Sequence, residues 1–122
     1  MKKILIADDD RNLVKLLESF LTSLGYEMKV AYEGATALKM IGEYKPDLIV
    51  LDIMMPVIDG YSICKTLIEE PQYKPLPKII VLTSRKEDMD KKISEFLGAD
   101  EFISKPIMPG ELAGKIRELL GT

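Results

Sequence analysis

Histidine is absent from this 122-residue chain, and cysteine occurs once, at position 64. Without histidine the chain lacks the usual zinc ligands and the commonest acid-base catalyst, and a single cysteine cannot form an internal disulfide. Because Cys64 stands beside Ile63 and near Leu67, we expect a buried, inert thiol that packs as a small apolar side chain. Carboxylates, lysines and hydroxyls remain as the groups that can carry chemistry.

Long apolar runs and an excess of basic charge are missing as well. No run approaches the roughly 20 apolar residues that span a bilayer, and the first residues lack the apolar core and cleavage site of a signal peptide. The formal net charge is -3, without the basic footprint of a nucleic-acid-binding domain. We therefore expect residues 1–122 to form one cytoplasmic domain that binds neither membranes nor, directly, nucleic acids.

Short apolar segments alternate along the chain with segments of helical period. The expected strands are Lys3–Ala7, Tyr26–Ala31, Leu48–Asp52, Lys78–Leu82 and Glu101–Ser104. A helix is expected after each strand. Strict alternation of this kind favours an α/β fold, a doubly wound parallel sheet with right-handed crossovers and helices on both faces.

Capping residues and apolar periodicity support the expected helices. Asp10 and Asp59 are predicted N-caps, and Ser84 with Glu87 fits a capping box. The first helix carries an apolar pattern at Leu13, Leu16, Leu17, Phe20, Leu21 and Leu24. The fourth helix is expected to bury Met89, Ile93, Phe96 and Leu97. Pro109 suits the first turn of the last helix.

The residues with chemical potential stand where strands end. Asp8 and Asp9 follow the first strand, Asp52 ends the third, Thr83 follows the fourth, and Lys105 follows the fifth. Because carboxyl ends of parallel strands meet at one edge, where ligands of open α/β sheets bind, we expect these side chains to cluster there. Each residue taken alone also has a purely structural explanation. Asp52 could be a turn residue, and the acids after the first strand could interact with the dipole of the first helix. Thr83 could be an ordinary strand-end hydroxyl, and Lys105 a solvated surface lysine.

Taken together, these residues suit phosphoryl chemistry with a bound cation. Carboxylates crowded at one site repel each other unless one is protonated or a cation joins them, and hard oxygens at an open site favour Mg²⁺. A carboxylate can itself be the nucleophile and form an acyl phosphate, and Asp52 is the candidate. Lys105 and the Thr83 hydroxyl would then face the charge that develops on the phosphoryl oxygens.

Over essentially its whole length the chain resembles the receiver domains of two-component response regulators. The resemblance is carried by the strand-end motifs Ile-Ala-Asp-Asp, Leu-Asp-Ile-Met-Met-Pro with Asp-Gly, Leu-Thr-Ser, and Gly-Ala-Asp-Glu-Phe-Ile-Ser-Lys-Pro. It implies a flavodoxin-like sheet of order 2-1-3-4-5, and phosphoryl transfer from the phosphohistidine of a sensor kinase or phosphotransfer protein to Asp52. It also implies that Asp9, Asp52 and the Met54 backbone carbonyl ligate Mg²⁺, with Asp8 acting through water.

The same resemblance assigns a conformational switch. It implies that Thr83, with Ser84 beside it, moves toward the phosphoryl group, and that Phe102 swings inward behind it. Phe102 stands where the family often has tyrosine, and plain core packing is the alternative for it. Lys105 would pair with the phosphate, and its bond to Pro106 is a candidate cis peptide.

A charged face supplies the remaining expectation, a homodimer that depends on phosphorylation. Lys91, Glu101, Glu111 and Lys115 lie on the elements that the family uses for association. By resemblance, Lys91 would meet Glu111 and Glu101 would meet Lys115 across a two-fold axis, which requires a self-complementary surface. The alternative is a solvated charged face.

The predicted function is that of a phosphoacceptor domain, which catalyses only its own phosphorylation and dephosphorylation and is not otherwise an enzyme. Three alternative functions are weighed against it. An aspartate-nucleophile phosphatase needs a second acid near the nucleophile and a substrate cap, and the residues after Asp52 supply neither. A flavin carrier of the same fold needs a phosphate cradle and aromatic ring clamps that these loops lack. A degenerate receiver used only for docking would not need the complete set of acids, threonine and lysine.

Overall fold

The computed structural model describes residues 1–55, 58–83 and 98–121. Its centre is a parallel sheet whose strands are β1 (Lys3–Ala7), β2 (Glu27–Ala31), β3 (Leu48–Asp52), β4 (Lys78–Thr83) and β5 (Glu101–Ser104). The strands lie in the order β2-β1-β3-β4-β5, which confirms the predicted topology.

The described helices are α1 (Arg11–Ser23), α2 (Gly34–Tyr44), α3 (Gly60–Glu69) and α4 (Pro109–Leu120). The predicted caps are confirmed, because Asp10 accepts a hydrogen bond from the Leu13 N–H and Asp59 accepts one from the Ser62 N–H. The helix predicted between β4 and β5, with Ser84, Glu87, Met89, Ile93, Phe96 and Leu97, lies outside the described residues. No described helix has the length and apolarity that a membrane crossing requires.

Each face of the sheet has its own apolar core, which is the doubly wound arrangement. One core joins α1 and α4 through side chains such as Leu17, Leu21 and Ile116. The other joins α2 and α3 through side chains such as Ile41 and Leu67. All five residues of β3 are buried, as expected for a strand covered on both faces.

The structure bears on the packing of the single cysteine and of the first helix. Cys64 is buried, as predicted, and burial raises the pKa of its thiol to about 12, so it carries no thiolate at neutral pH. The first helix is present, but two leucines of its apolar pattern, Leu16 and Leu24, are 55% and 45% exposed. The buried stripe of α1 is Val14, Leu17 and Leu21. An apolar period of three to four residues defines a face but does not fix its width.

The topology brings the strand-end residues together. From β1 the chain crosses to β2 on one side and later to β3 on the other, so the strand order reverses between β1 and β3. A crevice forms at such a reversal, outside the carboxyl ends of the strands. Asp8 and Asp52 stand at the two sides of this crevice.

Candidate functional site

Two buried carboxylates and one lysine form the centre of the site. Asp8 is fully buried, and Asp52 is 3% exposed. The Lys105 ammonium lies 2.9 Å from Oδ2 of Asp8 and 3.5 Å from Oδ2 of Asp52. The lysine therefore bridges the two acids, and the structure brings together residues that are far apart in the chain.

Backbone groups fix the direction of both carboxylates. Oδ1 of Asp8 accepts a hydrogen bond from the Asp10 N–H at 2.9 Å, and Oδ1 of Asp52 accepts one from the Met54 N–H at 3.1 Å. Each acid is thus held by the turn that follows its own strand, and its other oxygen points to Lys105.

Gly60 lets α3 begin directly beside the nucleophile candidate. Its N–H donates to the Ile53 carbonyl at 2.9 Å. A Cβ at this position would lie 2.8 Å from the Asp52 carbonyl oxygen and 2.7 Å from the Ile53 Cα, so a side chain would push the loop away. The Asp-Gly motif is therefore a spacing requirement of the site.

The acidic cluster has the donor set that Mg²⁺ prefers. Asp8, Asp9 and Asp52 each offer a carboxylate oxygen, and these oxygens lie within 4.8 Å of one another. Despite its ion pair, the buried Oδ2 of Asp8 has no partner in hydrogen-bond geometry, which leaves unused acceptor capacity. Asp9 is exposed and gives the site an opening to solvent. Hard oxygens at an open position fit a hydrated dication.

Burial sets the protonation of the central acid. The pKa of Asp52 is raised from its ordinary 3.8 to about 6, first by desolvation and then by the negative charge of Asp8, while Lys105 and the Met54 N–H oppose the shift. Desolvation lowers the pKa of Lys105, but the ion pairs with Asp8 and Asp52 outweigh it and give a net rise. Lys105 is therefore charged at neutral pH, and Asp52 is mostly ionised.

The raised pKa of Asp52 predicts a pH-dependent stability in metal-free protein. The folded state binds the Asp52 proton more tightly than the unfolded state does. The stability that this protonated carboxyl contributes is therefore fully present below the unfolded pKa and is lost as pH rises through about 6. The shift corresponds to a cost of about 3 kcal/mol at neutral pH. In EDTA, we expect Asp52→Asn to raise the free energy of unfolding by about 2–3 kcal/mol at neutral pH, with the gain vanishing toward pH ~4.

Urea unfolding at several pH values measures this difference directly. Asp47→Asn is the matched control, since Asp47 stands just before the other end of β3 and is exposed. A difference between Asp52→Asn and the natural chain that stays constant across this pH range would contradict the expectation.

Of the predicted switch residues, Thr83 lies at the same edge of the sheet, and Phe102 lies within β5. Thr83 is fully buried at the end of β4, and its carbonyl accepts the Lys105 N–H at 2.7 Å. Phe102 lies half-buried opposite Val81 and packs against the core that contains α2 and α3. The peptide bond between Lys105 and Pro106 is cis. Ser84 lies outside the described residues.

A contact at the rim of the site has no signal in the sequence. The Arg11 guanidinium lies 4.0 Å from the centroid of the Tyr32 ring. The two residues are far apart in the chain and share no motif, so only the pairing of β1 with β2 brings them together. A second cis peptide, between Lys74 and Pro75, also had no predicted place.

On the charged face, two of the named residues already contact each other within one chain. The Lys115 ammonium lies 3.6 Å from Oε1 of Glu101 and 4.0 Å from Oε2 of Glu118. Glu111 is exposed in the first turn of α4. Lys91 lies outside the described residues.

Fold and site together define a flavodoxin-like α/β domain with an acidic crevice at the switch point of its sheet. A family model of the response regulator receiver domain matches residues 4–117. The chain therefore belongs to the family of receiver domains of two-component response regulators.

Individual relatives agree with this assignment. The chain is 41% identical over 119 residues to the alkaline phosphatase synthesis transcriptional regulatory protein PhoP of Bacillus subtilis, covering 98% of this chain and 48% of PhoP. It is similar in structure, with a TM-score of 0.88 and 30% identity, to a CheY-like receiver domain protein from Methanospirillum hungatei, covering 99% and 94% of the two chains. The OmpR/PhoB homologue DrrB of Thermotoga maritima matches with a TM-score of 0.85 and 30% identity, over 99% and 53% of the chains. The chain spans about half the length of the curated relatives it matches.

Proposed function

We propose that Asp52 accepts a phosphoryl group from the phosphohistidine of a sensor kinase or a phosphotransfer protein. The observation that carries the proposal is the position of Asp52, almost fully buried in the crevice, with one oxygen fixed by the Met54 N–H and the other facing Lys105. A structural aspartate would not need a second carboxylate and a shared lysine beside it.

In this reaction the chain's own groups divide the work. An oxygen of Asp52 gives an electron pair to phosphorus, the bond from phosphorus to the donor's imidazole nitrogen breaks, and its electron pair returns to the imidazole. Lys105 faces the negative charge of the phosphoryl oxygens, and Thr83 at the end of the adjacent strand β4 offers a hydroxyl. The product is an acyl phosphate on Asp52.

The residues proposed to hold Mg²⁺ are Asp9, Asp52 and the Met54 backbone carbonyl, with Asp8 acting through water. When bound, the ion supplies positive charge that offsets the repulsion between these carboxylates and an incoming phosphate. The fit rests on the three acids and on the open side at Asp9.

Incubation with acetyl phosphate and Mg²⁺ tests the proposal without the unidentified kinase. We expect one phosphoryl group per chain; borohydride should reduce the acyl phosphate to an alcohol with release of phosphate, and mass spectrometry should locate the resulting homoserine at position 52. A phosphate on serine or threonine, or an adduct that resists both alkali and hydroxylamine, would show that Asp52 is not the acceptor.

The output of the regulator is proposed on the same basis. We propose that phosphorylation moves Thr83, Ser84 and Phe102 and so changes how the domain associates, within a cytoplasmic signalling protein. The domain itself is proposed to turn over no substrate beyond its own phosphoryl group.

A weak homodimer is expected only in the phosphorylated form. Exposed ion pairs contribute about 0–1 kcal/mol each, and Lys115 is already paired with Glu101 within the chain. The charged face alone should therefore give only weak association between two chains. In sedimentation, we expect a monomer in the untreated protein and a salt-sensitive dimer with beryllofluoride and Mg²⁺.

Charge reversal identifies the face. Lys91→Glu should abolish the dimer, and adding Glu111→Lys should restore it, while Lys39→Glu on α2 serves as the control. A monomer under both conditions would reject the dimer.

A further inference from the structure

Arg11 is a cation that directly follows three aspartates, yet its guanidinium forms no ion pair within 4.0 Å with any of them. Its guanidinium lies over the face of Tyr32, 4.0 Å from the ring centroid. In residues 1–55, 58–83 and 98–121, the ion pairs within 4.0 Å involve Lys105 and Lys115, and Arg11 is in none of them. The position of Arg11 is therefore set by an aromatic ring.

An ion pair with Asp9 would be the simple electrostatic outcome. Asp9 and Arg11 are two residues apart, so their Cα atoms are separated by at most about 7 Å, a distance that an arginine side chain can span. Guanidinium and carboxylate form bidentate pairs, and Asp9 is exposed. A pair of this kind would occupy an oxygen of the acidic cluster.

Tyr32 is placed to compete with Asp9 for the guanidinium. It comes directly after β2, where the Ala31 carbonyl accepts the Asp8 N–H at 3.1 Å, so the end of β2 is tied to the acidic turn. Tyr32 is half-buried and packs against the core beneath α1, so its ring stays in place with one face toward Arg11. The attraction of a cation to that face holds Arg11 on the β2 side of the rim.

We propose that Tyr32 is a positioning residue that holds Arg11 away from the cluster of Asp8, Asp9 and Asp52 and so keeps the Asp9 carboxylate available to a divalent cation. The inference rests on the proposed function in taking this cluster as the Mg²⁺ site. If Arg11 were released from Tyr32, it would lower the affinity of the acidic cluster for Mg²⁺ in two ways. It would occupy a carboxylate oxygen that can bind the ion, and it would place positive charge beside the ion.

A double-mutant cycle measured by calorimetric titration with Mg²⁺ tests the proposal. We expect Tyr32→Leu, which keeps an apolar side chain but removes the ring, to weaken Mg²⁺ binding on the order of threefold to tenfold at low salt. In the Arg11→Gln background, the same Tyr32→Leu change should have no effect, because there is no guanidinium to release.

Two further variants separate the ring and the charge from general effects. Tyr32→Phe keeps the ring and should bind Mg²⁺ as the natural chain does. Lys15→Gln removes an exposed cation one turn further along α1 and should leave the effect of Tyr32→Leu unchanged. The side-chain NMR resonance of Arg11 gives a readout independent of the metal, since the ring current of Tyr32 should shift it upfield in the natural chain and not in Tyr32→Leu.

The outcomes are distinct. Weakening by Tyr32→Leu that disappears in the Arg11→Gln background supports the proposal. Equal weakening in both backgrounds, or none in either, overturns it while leaving the Mg²⁺ site standing. If the natural chain binds no Mg²⁺ and Asp9→Asn changes nothing, the proposed site fails, and this inference fails with it.

Discussion

Replacement of Asp52 by asparagine is expected to reduce phosphoryl incorporation from acetyl phosphate to the level of the reagent blank. An amide has no carboxylate electron pair to give to phosphorus, and the change keeps the size of the side chain. Asp8 does not replace it, because Asp8 is fully buried and closer to the Lys105 ammonium. Loss of a nucleophile typically costs many orders of magnitude in rate.

Intact mass spectrometry with a fixed time of exposure measures this loss. Asp47→Asn, at the opposite end of the same strand, should be phosphorylated at the normal rate. A phosphoryl group on the Asp52→Asn chain that is cleaved by hydroxylamine, as an acyl phosphate is, would place the acceptor on another carboxylate.

Removal of the metal is expected to have an effect of similar size. The two conditions are EDTA and the Asp9→Asn variant with Mg²⁺ present. In both, the negative charge of the acidic cluster would repel an incoming phosphate, and Lys105 would offset only part of that charge. We therefore expect phosphorylation to fall to near background in both cases. Asp9 is the best acid to replace because it is exposed, so the fold should tolerate the change.

Asp10→Asn is the matched control for the metal experiment. It removes the adjacent exposed charge but preserves the helix cap, since asparagine caps helices as well as aspartate does. It should retain both Mg²⁺ binding and phosphorylation. Phosphorylation that continues unchanged in EDTA would remove the metal from the proposal.

The sheet order and the place of the site were predictable because they depend on local signals. Strands with continuous apolar runs, helices with caps at Asp10 and Asp59, and short connections leave few topologies for a parallel sheet. Once the strands are parallel, the residues after them must share an edge. Asp8, Asp52 and Lys105 therefore could be grouped from the sequence, although their spacing could not.

Contacts between side chains that are far apart in the chain could not be predicted from the sequence. Leu16 is exposed although it shares the apolar period of the first helix, because periodicity alone does not fix the width of the buried face. The Arg11 contact with Tyr32 depends on the register of two strands. Glu101 and Lys115, which are predicted to meet across a dimer, also lie 3.6 Å apart within one chain, and the sequence did not predict this contact.

Because Lys105 lies between two buried carboxylates, the carboxyl edge of the sheet contains three ionised groups in close contact. The ammonium comes from the end of β5 and contacts Asp8 at the end of β1, across the ends of β3 and β4. Without bound metal, Lys105 and its two buried carboxylate partners carry one net negative charge, and a phosphoryl group would add roughly one more. Because uncompensated buried charge is costly, the edge has few acceptable arrangements. Its response to phosphorylation should therefore be a step between discrete states and not a graded movement.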